Sequence, residues 1–277
     1  ERLNYECQNY ENPDLSMGLK AELKFVIIAS LIAGLIAKLP AIFSIDNEFF
    51  YTRNAGFIVF PLLILFFALK NKPAIKKIIF ISFAILFSIV FINLMPDNKS
   101  DTLILSCIFL PLFLWSILGY VFKANEHHFY EKRLNYLRYN GDLIVITGII
   151  MIAGVILTGI TIGLFSLIGL EIQNFYREYV VISGLAASPI VGTYIVQTNP
   201  KLVNKVSPLI AKIFCPLILI TLIVYLIAIA VTGKDPYNDR EFLLLYNGLL
   251  ILVMAIIVFS VAGTSRSDFR THEILIL

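Results

Sequence analysis

Apolar residues in this chain fall in long unbroken blocks, without the alternation of strands or the single stripe of a surface helix. A helix needs roughly 20 mainly apolar residues to cross about 30 Å of hydrocarbon. Eight blocks reach or approach that length: Phe25–Phe43, Ala55–Leu69, Ile78–Met95, Thr102–Phe122, Leu143–Leu170, Tyr179–Val196, Val206–Val231 and Phe242–Gly263. The roughly 10-residue alternating segments of a membrane β-barrel are missing from the pattern. The expected fold is therefore all-α, a polytopic transmembrane bundle of about eight spans. The second block is short unless Phe49, Phe50 and Tyr51 extend it past Arg53, and the fifth is long enough to predict tilt or a kink.

The polar intervals set the expected orientation, because Lys and Arg concentrate in short cytoplasmic loops. With the N-terminus inside, fifteen of the 22 Lys and Arg fall in inside segments, five fall outside, and Lys38 and Lys212 lie within spans. Residues 70–77 and 123–142 carry much of the inside charge. Both ends are then expected on the cytoplasmic side of the membrane. Residues 1–24 form a polar leader in which Asp14 or Ser16 caps a short amphipathic helix bearing Leu15, Leu19 and Leu23. Residues 25–263 form the bundle and 264–277 a cytoplasmic tail. Its last residues, Ile274–Leu277, read as the first turn of a further span cut short. Within residues 123–142, Tyr130, Leu134 and Leu137 share a helical face away from Lys132, Arg133 and Arg138, which predicts an interfacial helix.

Composition agrees: 58% of residues are hydrophobic and 15% charged, against roughly a quarter charged in a soluble domain. A net charge of +3 without a long basic run argues against nucleic acid. The partner implied is the lipid bilayer, with a protein partner or a homo-oligomeric copy also compatible. Cys7, Cys107 and Cys215 are too scattered for a disulfide framework or zinc site, and the latter two are expected to be small buried residues.

Candidate chemistry is sparse. His127 and Glu131 have helical metal-ligand spacing but no third ligand. HExxH, Walker A and GxSxG motifs are absent, and no Asp or Glu lies within the eight blocks. No catalytic, cofactor-binding or metal residue is assigned, and an enzyme is the least favoured class. Gly159 and Gly163 form a GxxxG motif; Gly184, Ser188 and Gly192 supply its counterpart in the next span, predicting a close hairpin contact. Pro40, Pro61, Pro111, Pro189 and Pro216 each remove a helix hydrogen bond and open a route to kinks. The two lysines inside spans are the functional candidates, since charge is costly in the membrane. Lys38 is expected to snorkel to the nearer interface. Lys212 is expected to face the bundle interior, because its span also holds Ser207, Cys215, Thr221 and Tyr225.

The stretch Asn204–Lys212 with the run Ile213–Ile220, which holds Cys215-Pro216-Leu217, then Tyr225, then Asp235–Glu241, resembles a family of bacterial polytopic inner-membrane proteins classed only as a domain of unknown function. The likeness covers residues 142–263. It implies a multi-span inner-membrane protein and transfers no catalytic residue. Two functions follow as expectations: a non-enzymatic membrane module (sensor, scaffold or assembly partner), or a transporter or permease for a small solute.

Overall fold

A computed structural model describes residues 19–96, 101–122, 129–198, 206–232 and 240–262. Among these residues every regular element is helical. In chain order they are α1 (Leu19–Ala37), α2 (Leu39–Phe43), α3 (Asn47–Asn71), α4 (Ile75–Leu94), α5 (Asp101–Phe122), α6 (Phe129–Leu167), α7 (Gln173–Phe175), a π-helical turn (Tyr176–Val181), α8 (Ile182–Thr198), α9 (Val206–Thr232) and α10 (Arg240–Ala262). Among the described residues, five stretches are long and apolar enough to cross a membrane: Asn47–Asn71, Ile75–Leu94, Asp101–Phe122, Arg133–Leu167 and Gln173–Thr198. Shorter apolar stretches occupy Phe214–Ile229 in α9 and Tyr246–Ala255 in α10. Large apolar side chains remain exposed along these helices, the surface expected where the solvent is lipid rather than water.

The chain forms two compact units: residues 1–141 with 189–194, and residues 142–188 with 195–277. In the first unit α3 is the central helix, buried on more of its surface than α4 or α5 and packed against α1, α4 and α5. Its N-cap is Asp46, whose carboxylate accepts from Phe49 N at 2.8 Å, satisfying one of the orphan donors of a helix start. α3 thus begins eight residues earlier than the Ala55–Leu69 block. The aromatic residues Phe49–Tyr51 do extend that span past Arg53, as its shortness required. Phe57, Ile92 and Leu114 form the core between α3, α4 and α5.

The second unit is organised around the α9–α10 pair and the later turns of α6. Leu164, Phe165, Ile168 and Tyr225 form one cluster, and Leu157, Phe214 and Ile218 another. α6 ends at Gly169, which takes a φ of 81°. Leu170 N bonds Phe165 O and Gly169 N bonds Ser166 O. This is a Schellman stop, and glycine is the residue that enters it without a Cβ penalty.

Three local expectations need correction. The first block, expected as one span over Phe25–Phe43, begins as helix at Leu19 and breaks at Lys38, beside the buried Pro40. The interfacial helix expected within residues 123–142 is the start of α6, continuous with the fifth span over 39 residues. Its buried face carries Tyr136 and Tyr139, while Leu134 and Leu137 are exposed; aromatic rings with hydrogen-bonding tips, not leucines, hold that turn to its neighbours. Cys215 is exposed and Cys107 half-buried, so neither fills the fully buried role expected. Cys7, His127, His128, the leader caps and the tail lie outside the described residues, as do the side chains of Tyr130, Glu131 and Lys132.

Candidate functional site

The densest buried polar group in the first unit lies where α1 ends, α3 begins and α4 ends. Arg53 is only 2% exposed, and its Nη1 donates to Ile92 O at 3.0 Å and Met95 O at 2.6 Å. Its guanidinium carbon sits 4.1 Å from the centroid of the Phe49 ring, one turn earlier. Asn54, one residue on, exchanges reciprocal amide bonds with Asn93 at 3.0 and 2.9 Å. Asn93 also donates to Ile89 O. Tyr51 donates its hydroxyl to Ala37 O at 2.8 Å. Lys38 follows directly, 8% exposed, with its ammonium nitrogen buried.

These contacts share one physical logic. A helix leaves its last four carbonyls without intrahelical donors, and its C-terminus carries partial negative charge. Ala37 is the last residue of α1; Ile92 and Met95 stand at the end of α4. Tyr51, Arg53 and Asn54, all from the first turns of α3, therefore satisfy or clamp the C-terminal ends of two neighbours. A cation is the favoured donor at such an end. Burial of Arg53 is tolerable because its donors meet carbonyls and its face meets an aromatic ring.

The opposite end of α3 repeats the arrangement. Asn71 Nδ2 donates to Val121 O at 3.3 Å and Phe122 O at 3.1 Å, the last residues of α5. Glu22 of α1 pairs with Lys70 at 3.6 Å and is itself buried. Close by, Tyr136 donates to Trp115 O at 2.7 Å, and Trp115 Nε1 donates to Asn140 Oδ1 at 2.9 Å. The Tyr139 hydroxyl meets Thr193 Oγ1 at 2.9 Å. Counting 1.5 Å per residue from the Glu22–Lys70 pair, Lys38 lies about 24 Å along α1 and Arg53 about 26 Å along α3. The two buried cations thus occupy one level.

The sequence candidates meet mixed outcomes. Lys38 is a correction: instead of snorkelling outward, it is buried at the break between α1 and α2, with its ammonium nitrogen out of reach of solvent. Lys212 lies on α9, but its side chain is outside the described residues. Gly159 and Gly184 are exposed, and a Cβ added to either meets nothing within 4 Å. The close hairpin contact expected at those two glycines is thus not formed there. Gly163 is half-buried, while Ser188 and Gly192 are buried. The tight approach occurs instead at Gly119, where a Cβ would come within 2.8 Å of the Tyr136 ring. Gly56, facing Leu114 at 3.2 Å, is a second close point. Among the described residues no group of three or more His, Cys, Asp or Glu is placed to hold a metal.

No family model, curated protein or solved structure matches this chain.

Proposed function

We infer that this chain is a non-enzymatic multi-pass membrane module, a sensor, scaffold or assembly partner, with eight spans and both ends in the cytoplasm. The observation that carries the reading is the use made of the polar layer. Tyr51, Arg53 and Asn71 spend hydrogen bonds on helix ends, and Asn54 on the Asn93 amide, a use that stabilises a fixed bundle. Placement of Lys70, Lys72, Lys76 and Lys77 together in the α3–α4 turn supports a cytoplasmic position for that turn. The likeness of residues 142–263 to bacterial inner-membrane proteins of unknown function belongs to the same proposal.

A transporter for a small anionic solute is the second reading. It is favoured by one feature, a buried ammonium at the break of a discontinuous helix, the construction that transporters use at substrate sites. Thermal unfolding in detergent separates the two. Under the module reading, Lys38→Gln leaves the response to a panel of small carboxylates and phosphates unchanged, and none of them raises the melting temperature of the wild type. A solute that stabilises the wild type at millimolar concentration but not Lys38→Gln overturns it. For topology, single-cysteine labelling in intact cells should mark residues 97–101 and 234–240 from outside and leave residues 70–77 and 123–142 unlabelled. Labelling of 123–142 from outside refutes the eight-span arrangement.

A further inference from the structure

We propose that one face of α4, from Lys76 to Phe91, is a binding surface for an anionic phospholipid. At 3.6 residues per turn, Lys76, Phe80, Phe83, Phe87 and Phe91 share a stripe about 80° wide. All five are exposed, Phe80 at 70%. Their rings form a ladder: Phe83 and Phe87 stack at 6.5 Å and 23°, and Phe87 and Phe91 at 6.3 Å and 18°. The result is a continuous flat apolar strip headed by an ammonium group. Lys77 stands beside it, its nitrogen 5.9 Å from the centroid of the Tyr120 ring of α5.

Dimensions and charge select the occupant. Phe87 lies about 16 Å along the helix from Lys76, close to half of the roughly 30 Å hydrocarbon layer. A single acyl chain of one leaflet, lying along Phe80, Phe83 and Phe87, therefore places its headgroup at Lys76 and Lys77. The chain from Phe49 to Pro96 contains no Asp or Glu, so the end of the α3–α4 hairpin that holds Lys72, Lys76 and Lys77 contributes cations alone, while Lys70 is paired to Glu22 of α1. Phosphate carrying a net negative charge is favoured there; a zwitterionic headgroup brings its own ammonium to the same lysines. Near a membrane surface each lysine is worth roughly fivefold in association with anionic lipid. Either orientation of the bundle gives the same surface, so the proposal does not rest on the topology.

Native mass spectrometry of the full chain, stripped of lipid in detergent and titrated with phosphatidylglycerol or phosphatidylcholine, tests it. The wild type should retain phosphatidylglycerol preferentially. Lys76→Gln with Lys77→Gln should reduce that preference by roughly 25-fold, whereas Lys76→Arg with Lys77→Arg preserves it. Phe83→Ala with Phe87→Ala should weaken retention of both lipids while leaving their ratio intact. Melting curves confirm that each variant is folded, and the Arg pair supplies the comparison if the Gln pair is not. Equal retention of the two lipids by the wild type means bulk contact only and overturns the proposal. So does a preference that survives the Gln substitutions. Phe83→Cys chains that cross-link to each other regardless of phosphatidylglycerol assign the face to a second copy instead.

Discussion

Replacing Arg53 with Ala removes the group that closes the end of α4. Two hydrogen bonds are lost, to Ile92 O and Met95 O, together with the stacking on Phe49. Interhelical hydrogen bonds in membrane proteins average about 0.6 kcal/mol and reach about 1.7 kcal/mol. Two of them give a loss of about 1–3 kcal/mol. The ring contact falls within that range because the guanidinium already satisfies its charge at the carbonyls. For a chain of this size a loss of 1 kcal/mol lowers the melting temperature by roughly 2–4 °C, so Arg53→Ala should melt about 3–10 °C below the wild type. Arg53→Lys should fall between them, since an ammonium can reach one carbonyl but cannot stack a plane on Phe49. Intrinsic tyrosine and tryptophan fluorescence during heating in a mild detergent provides the assay. An Arg53→Ala melting temperature within 1 °C of wild type would refute the capping account, and with it the case for a fixed bundle.

Other perturbations test the remaining contacts. Asn71→Ala, which uncaps α5, should cost about 1 kcal/mol and raise proteolysis after Phe122 without affecting the α4 end. A double-mutant cycle of Asn54→Ala and Asn93→Ala should show a coupling of about 0.6–1.7 kcal/mol, because each amide is the other's partner; additive losses would mean the pair is not formed. Gly119→Val should destabilise strongly, as its Cβ enters the space of the Tyr136 ring, while Gly159→Val, with open space around it, should be nearly neutral in the same melting assay.

Hydropathy made the helices legible, because a block of roughly 20 apolar residues admits few other states in lipid. What it could not show was which face of each helix is buried. The GxxxG spacing marked Gly159 and Gly184, yet small residues permit close approach without requiring it. The lone Gly119 and Gly56, outside any motif, sit where backbones and rings meet. A window average ends an apolar block at any cation, so hydropathy alone starts the second block at Ala55, after Arg53. The available signal was the shortness of Ala55–Leu69 with three aromatics upstream, which required Arg53 to lie inside the helix. Depth along a helix suggests snorkelling for Lys38, but the helix breaks at that residue and its ammonium nitrogen is buried there. The tyrosines of α6 were hidden among the basic residues around them.

That a single helix, α3, serves the ends of α1, α4 and α5 has a consequence for assembly during synthesis. α1 emerges first with the carbonyl of Ala37 waiting for Tyr51; α4 and α5 emerge later and find their donors already in place. α3 is thus a template on which earlier and later neighbours are completed in turn. Loss of α3 would strand the ends of all three neighbours at once, whereas loss of any one neighbour leaves the other two with their donors.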